Sequence, residues 1–110
     1  MLDAQPDLLQ GTLDLLILKT LAPGPLHGWA ISKQIRETSR DILTVNQGSL
    51  YPALYRLEDQ GWIRGTMTLS GNGRRVKAYQ LTAAGRRQLG REVETWRRFA
   101  TAMQHILATG

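Results

Sequence analysis

The spacing of hydrophobic positions predicts helices in the first part of the chain. A leucine-rich run from about Leu8 to Leu21 is apolar nearly all round, which predicts a helix that is covered on more than one side. The segment APGPLHG, residues 22–28, combines two prolines with two glycines and predicts a turn. A second helix is expected from about Gly28 to Thr38. Its expected buried face consists of Trp29, Ala30, Ile31 and Ile35.

A third helix is predicted within NQGSLYPALYRLEDQG, residues 46–61. Leucines recur in it at i, i+4 and i+7, so one face is apolar. Asn46 can cap its first turn through the side-chain oxygen, and Gly61 suits the position just past its end. The opposite face carries small or polar groups and is expected to point outward. The predicted outer residues are Gln47, Ser49, Pro52, Ala53 and Arg56.

The last third of the chain predicts a hairpin followed by a long helix. Two runs rich in β-branched and aromatic residues flank the turn sequence SGNG, which predicts a β-hairpin from about Ile63 to Leu81. Thr82 is expected to cap a helix that reaches about Leu107. Apolar residues recur along it at spacings of 4, 3, 4, 3 and 4, a heptad seam that requires a partner helix. The seam consists of Leu89, Val93, Trp96, Ala100, Met103 and Leu107.

This order of elements predicts a mainly α fold with a β-hairpin wing, a winged helix-turn-helix. We expect residues 1–81 to form the winged domain and residues 82–110 to form a C-terminal dimerisation helix. Residues 1–7 are expected to form a loose polar arm. Residues 40–45 could form a brief strand or a linker, and the sequence does not decide between them.

The charge distribution favours an anionic partner. The 110 residues carry a net charge of +5, with fourteen Lys and Arg against nine Asp and Glu. No acidic residue occurs from Gln60 through Arg91, a window that contains seven basic residues. Basic charge concentrated in one segment is typical of nucleic-acid binding.

The sequence carries few signals of any other chemistry. It has no cysteine, no histidine cluster with metal spacing and no phosphate-binding glycine loop followed by lysine, so we expect no enzyme activity, cofactor or metal. The start, MLDAQPDLLQ, lacks the pattern of a signal peptide, and no apolar run approaches the length of a membrane span. A cytoplasmic protein without membrane contact is expected.

The third helix and the hairpin together predict contact with double-stranded DNA. A slim helix with small polar outer residues can enter the major groove, while a basic hairpin lies along the phosphates. Spacing alone favours an ordinary solvent-exposed helix face, and Tyr51 could serve either core packing or a phosphate contact. The concentrated basic charge beside the helix favours DNA. The candidate DNA-binding residues are Gln47, Ser49, Tyr51, Pro52, Arg56, Asn72, Arg74, Arg75 and Lys77.

Three stretches, LDLLILKTLAPGPLHGWAISKQI, GSLYPALYRLEDQGWI and AYQLTAAG, resemble the PadR family of bacterial transcriptional regulators. The resemblance extends from Gly11 to about Leu107, within the short branch that has a single C-terminal helix. It implies a homodimeric winged-helix repressor that binds a palindromic operator. The implied dimer interface is formed by the last helix, with a contribution from the first. The implied interface residues are Leu13, Leu16, Leu89, Val93, Trp96, Ala100, Met103 and Leu107.

The same resemblance raises the question of an effector. Some short members of the family are similar to drug sensors that hold flat aromatic ligands between tryptophans at the dimer interface. Trp96 is the candidate here for such a ring-stacking wall, and simple packing in the dimer core is the alternative. A third hypothesis is a winged helix that serves as a protein-interaction module without binding DNA.

Overall fold

The computed structural model describes residues 6–109, with side chains from residue 11 onward. Four helices and a three-stranded antiparallel sheet follow one another along this part of the chain. The winged-helix prediction is confirmed, with a long C-terminal helix. The elements are α1 (Pro6–Leu21), β1 (Leu26–His27), α2 (Gly28–Thr38), α3 (Gln47–Asp59), β2 (Ile63–Leu69), β3 (Arg75–Leu81) and α4 (Ala83–Ala108).

Local capping explains why α3 and α4 begin where they do. The Asn46 side chain accepts a hydrogen bond of 2.8 Å from the Ser49 amide, and the Thr82 hydroxyl accepts one of 3.0 Å from the Gly85 amide. Each bond satisfies an amide that has no partner within its own helix. At the end of α3, Gly61 has a φ of +78°, which favours glycine. The predicted caps are therefore confirmed.

The sheet has the strand order β1-β3-β2. Strands β2 and β3 form the predicted hairpin, in register from Ile63 opposite Leu81 to Leu69 opposite Arg75. The short strand β1 pairs with the other edge of β3 and was not predicted, because the prolines of residues 22–28 indicated only a turn. It joins the wing to the start of α2.

The core fills the space between the first three helices and the base of the hairpin. Its side chains come from every helix except α4, and Leu89 of α4 packs against it only in part. This burial of leucine and isoleucine is the main stabilising contribution to the winged body. The fully buried large side chains are Ile17, Leu18, Leu21, Ile31, Leu50, Leu54, Leu57 and Ile63.

Several predicted details are wrong. Trp29 was predicted in the buried face of α2, but its side chain is 56% exposed. Ala53 was predicted on the outer face of α3 and is buried, because it lies beside Leu54 and Leu57 on the side that faces the core. The α1 helix begins at Pro6, so the last two residues of the predicted polar arm are helical, and residues 1–5 lie outside the described residues.

Residues 40–45 form a linker rather than a strand. Arg40 and Asp41 both have positive φ values, 55° and 65°, which interrupt any extended pairing. The Ser39 hydroxyl accepts a hydrogen bond from the Leu43 amide at 3.0 Å and closes the turn. The linker thereby carries the chain from the end of α2 to Asn46, the cap of α3.

Candidate nucleic-acid interface

The first half of α3 presents a polar face to the surface. Gln47 and Pro52 are exposed, and Ser49 is half-buried. The Gln47 side-chain amide donates a weak hydrogen bond of 3.4 Å to the Ser32 hydroxyl on α2, so it remains able to exchange partners. All three predicted DNA-binding residues are therefore at least partly accessible at the surface of the helix.

Tyr51 lies at the boundary between α3 and the start of α2. An added Cβ at Gly28 would lie 2.7 Å from the Tyr51 hydroxyl oxygen, so a larger residue at this position would require the Tyr51 ring to shift. The ring remains partly exposed in spite of that contact. A cavity of about 210 Å³ lies beside it, with Gly28, Lys77 and Tyr79 among its lining residues. One edge of the Tyr51 ring is therefore packed at the start of α2, and the remainder is accessible at the surface.

Arg56 is not a free cation. Its guanidinium donates a 2.6 Å hydrogen bond to the Asp14 carboxylate on α1, and both side chains are partly buried. Burial raises the pKa of Asp14, and this effect outweighs the opposing hydrogen bond and charge of Arg56. A close ion pair and a net desolvation penalty coexist in such a partly buried site. The pair fixes α3 against α1.

Lys77 is also engaged within the protein. Its ammonium lies 3.1 Å from one carboxylate oxygen of Glu58, and the other oxygen accepts a 3.2 Å hydrogen bond from the Gly65 amide. The hydrogen bond from the Lys77 ammonium to Glu58 raises the pKa of Lys77 above its ordinary value. The ammonium also lies 5.4 Å from the centre of the Tyr79 ring. Lys77 therefore joins the wing to the end of α3, and Glu58 compensates part of its charge.

The tip of the wing carries two uncompensated positive charges. Arg74 and Arg75 are exposed, and neither forms an ion pair within the described part of the chain. Asn72 shapes the turn between the strands, because its side-chain oxygen accepts hydrogen bonds from the Ser70 hydroxyl and the Arg74 amide. The left-handed conformation of Gly73, with a φ of +81°, completes the turn. The turn thus presents two arginines at the end of a narrow hairpin.

The heptad seam of α4 is largely uncovered in the single chain. Trp96, Met103 and Leu107 are exposed, and the other seam residues are half-buried. On α1, by contrast, Leu13 is only 3% exposed and belongs to the core of the protomer, so it has almost no surface to offer a second copy. Leu16 is partly buried against the same core. The exposed part of the predicted dimer interface is therefore α4.

A groove of about 460 Å³ runs between α1 and α4. Trp96 and Phe99 form an aromatic wall, with ring centres 5.7 Å apart. Asp14 and Glu92 line the same groove and contribute carboxylates. This groove contains the candidate ligand residue Trp96, and Asp14 connects it to Arg56 on α3.

Four features of this surface were not predicted from the sequence. They are the Asp14–Arg56 pair, the Lys77–Glu58 pair, the contact of Tyr51 with Gly28 and the exposure of Trp29. The two ion pairs and the contact of Tyr51 with Gly28 join residues from different elements, at separations that periodicity within one element does not detect. Basic and acidic residues in separate elements gave the only signal of the two pairs.

Two properties of the described residues concern other functions. Within the described residues, no helix is long and apolar enough to cross a membrane. The same part of the chain contains no group of three or more histidine, aspartate or glutamate residues that could hold a metal ion.

Comparison with known proteins agrees with this geometry. Residues 17–91 match the "Transcriptional regulator PadR-like family". The chain is 32% identical over 73 residues to the negative transcriptional regulator PadR of Bacillus subtilis, a match that covers 66% of this chain and 40% of that protein. It is 42% identical over 86 residues to an uncharacterised 37.1 kDa protein in transposon TN4556 of Streptomyces fradiae, covering 78% of this chain and 23% of that protein.

The chain therefore spans less than half the length of either relative. Its fold is similar to the crystal structure of a PadR-like transcriptional regulator from Bacillus cereus, with a TM-score of 0.80 and 27% identity. That similarity covers 94% of this chain and 99% of the solved one, so the long last helix belongs to the shared fold. This chain belongs to the PadR-like family of transcriptional regulators.

Proposed function

We propose that the chain represses transcription by binding, as a homodimer, a palindromic operator in double-stranded DNA. In this mechanism α3 enters the major groove and the wing follows the adjacent phosphates. The observation that carries the proposal is the position of the exposed, unpaired Arg74 and Arg75 on a wing that Lys77 and Glu58 join to α3. The helix and the positive charge therefore move as one unit.

The roles of the candidate residues follow from their surroundings. Gln47 and Ser49 have polar groups near the start of α3 and contact base edges. Arg74 and Arg75 pair with phosphates, whereas Asn72 holds the turn that presents them. Tyr51 and Pro52 shape the surface that faces the groove. Arg56 and Lys77 act through their carboxylate partners, by holding α3 and the wing in place.

Dimerisation is supported by the exposed seam of α4. Leucine, methionine and tryptophan side chains at heptad spacing remain in solvent unless a second helix covers them. A dimer with twofold symmetry would place two copies of α3 about 34–36 Å apart, or a multiple of this, to match successive turns of DNA. A palindromic operator follows from that symmetry.

Selection of bound sequences from a random duplex pool tests this proposal. We expect a palindromic motif with half-sites separated by one helical turn or a multiple of it. If the dimer neutralises about 6–10 phosphates, its affinity falls by about 10³–10⁵ between 50 and 200 mM salt. Enrichment of no sequence and salt-insensitive binding would contradict the proposal and favour a protein-interaction module. Reporter transcription with and without the protein then distinguishes repression from activation.

Single substitutions on α3 test its role in site choice. Gln47→Ala or Ser49→Ala removes a hydrogen-bonding group near the start of the helix and should alter the preference for particular bases, by about 1–3 kcal/mol for each lost contact. Repeating the selection with each variant measures this change. A motif identical to that of the original chain would show that neither side chain determines the sequence bound.

The groove between α1 and α4 supports a second function, the sensing of a flat aromatic effector. Its volume of about 460 Å³ is within the range of small-molecule sites, and Trp96 and Phe99 supply stacking surfaces. Titration of an aromatic dye should quench tryptophan fluorescence, and the quenching should be lost in Trp96→Leu while Trp29 and Trp62 remain. Quenching that is unchanged in Trp96→Leu would place the dye elsewhere.

A further inference from the structure

A close backbone contact joins the start of α4 to the end of α3. Gly85 lies in the first turn of α4 and is the one buried residue of that helix, all of which the structure describes. An added Cβ at Gly85 would overlap the carbonyl oxygen of Trp62 and would lie 2.9 Å from its carbonyl carbon. Both are backbone atoms, so no side-chain rotation relieves the overlap. The helix can lie this close to Trp62 only because residue 85 has no side chain.

Trp62 is itself fixed to α3. Its amide donates a hydrogen bond of 3.0 Å to the carbonyl of Leu57, in the last turn of α3. Its carbonyl oxygen accepts a hydrogen bond of 3.1 Å from the amide of Thr82, the cap of α4. One residue is therefore bonded to α3 on one side and to the start of α4 on the other. Any shift of α4 relative to Trp62 is also a shift relative to α3.

Further hydrogen bonds hold the first turn of α4 in this position. The Thr82 hydroxyl donates a bond of 2.6 Å to the Gly61 carbonyl, and it also caps the Gly85 amide. The Arg86 guanidinium donates to the carbonyl of Ala22, just past the end of α1, at 3.3 and 3.4 Å. These contacts lie within residues 82–86, so the direction of α4 is set where the helix begins.

The rest of α4 is held less closely. Leu89 packs only partly against the core, and beyond it the groove of about 460 Å³ separates α1 from the part of α4 that contains Trp96. From Gly85 to Ala100 the helix rises by about 22 Å. A tilt of about 10° at Gly85 would move Ala100 by about 4 Å, which exceeds the ~3.4 Å between successive base pairs.

We propose that Gly85 is a positioning residue that sets the spacing between the two half-sites of the operator. In the proposed dimer the seam of α4 joins the protomers, so the angle between α4 and α3 determines how far apart the two α3 helices lie. The contact of Gly85 with Trp62 fixes that angle. The inference rests on the proposed dimeric binding of a palindromic operator, and it names the contact that selects the spacing.

A second glycine of α4 provides a matched control. Gly90 is exposed, and an added Cβ there meets no atom within 4 Å. Alanine favours a helix more than glycine does, so Gly90→Ala reproduces the change in helix propensity without the overlap. Gly85→Ala must move α4 away from Trp62, whereas Gly90→Ala should leave the direction of α4 unchanged.

The test measures affinity for duplexes in which spacers that differ by one base pair separate the two half-sites of the selected operator. A duplex with a single half-site is measured alongside, and sedimentation velocity checks that each variant is a dimer. For Gly85→Ala, affinity at the original spacing should fall by roughly tenfold or more, as for the loss of a base contact in the second half-site. The preferred spacer should change, while affinity for the single half-site should not. Gly90→Ala should keep the original preference.

Thr82→Val is a second variant that does not introduce the overlap. It keeps the shape of the side chain but removes the hydroxyl that bonds to Gly61 and caps α4. A less firmly held α4 should accept several spacers with similar affinity, and Thr82→Ser, which retains the hydroxyl, should restore the preference. This pair decides the question if circular dichroism shows that Gly85→Ala does not fold.

The outcomes separate this inference from the proposed function. If the original chain binds every spacer and the single half-site equally well, dimeric recognition of a palindrome fails and the inference fails with it. If the original chain prefers one spacer, and a folded Gly85→Ala dimer prefers the same one, the proposed function stands and the inference is wrong. Where only Thr82→Val folds, an unchanged preference in that variant has the same meaning. Weaker binding of Gly85→Ala to the single half-site would also overturn the positioning role, because the winged domain itself would then be disturbed.

Discussion

Helices α1 and α4 are both rich in apolar residues, yet the burial of these residues in the folded chain differs between the two helices. The apolar side chains of α1 lie mostly in the core, including Ile17, Leu18 and Leu21. Those of the second half of α4, including Met103 and Leu107, remain exposed. Helical spacing identifies an apolar face, but it does not determine whether the same chain or a second copy covers that face.

The largest expected effect comes from opening a cavity in the winged body. Leu54→Ala removes a fully buried side chain between α1, α2 and α3 and should lower the free energy of unfolding by about 2–5 kcal/mol. Denaturant unfolding at several protein concentrations measures it. Leu107→Ala is the matched control, since Leu107 is 74% exposed in the single chain and its loss should matter only where dimers form. Equal losses in both variants at low concentration would contradict the distinction between the two helices.

A charge in the seam tests the second copy directly. Met103→Glu places a carboxylate in an apolar interface, where burial without a partner is costly, so the dimer should dissociate. Sedimentation velocity should show a monomer with unchanged helix content. Operator affinity should fall, because each monomer then binds a single half-site without the contribution of a second protomer. A dimeric Met103→Glu protein would place the dimer interface elsewhere.

A wing variant should weaken DNA binding without affecting the dimer. Arg75→Ala removes an exposed cation from the hairpin, so we expect weaker binding to all duplexes and a salt slope reduced by about one per protomer. The sedimentation coefficient of Arg75→Ala should equal that of the original chain, whereas that of Met103→Glu should be lower. An unchanged slope would remove Arg75 from the interface.

The smallest expected effect concerns Asp14, a residue of α1 that lines the groove between α1 and α4. Because burial raises its pKa, the folded chain holds this proton more tightly than the unfolded chain does. The contribution of Asp14 to stability is therefore complete below the ordinary aspartate pKa, and is lost as the pH rises from about 4 through the folded value. Asp14→Asn should lack this decline, which unfolding measured from pH 3 to 7 would detect as a difference between the two chains. Free energies of unfolding that change with pH in the same way in both chains would contradict this prediction.

Much of the fold could be predicted because its signals are local. The leucine spacing of α3, the caps at Asn46 and Thr82, and the SGNG turn each act within a few residues. The order of the elements and the family resemblance followed from them and are confirmed. The unpaired wing arginines could be predicted in the same way, since their segment of the sequence contains no acidic residue to pair with them.

The features of the fold and of the candidate site that could not be predicted depend on distances between elements. The sequence by itself determined which residues are helical, where the helices begin and where basic charge concentrates. Only the tertiary structure decided that Arg56 and Lys77 are paired, that Leu13 is buried and that Trp29 is exposed. The physical reason is that capping and periodicity act along the chain, whereas ion pairing and burial depend on how separate elements pack.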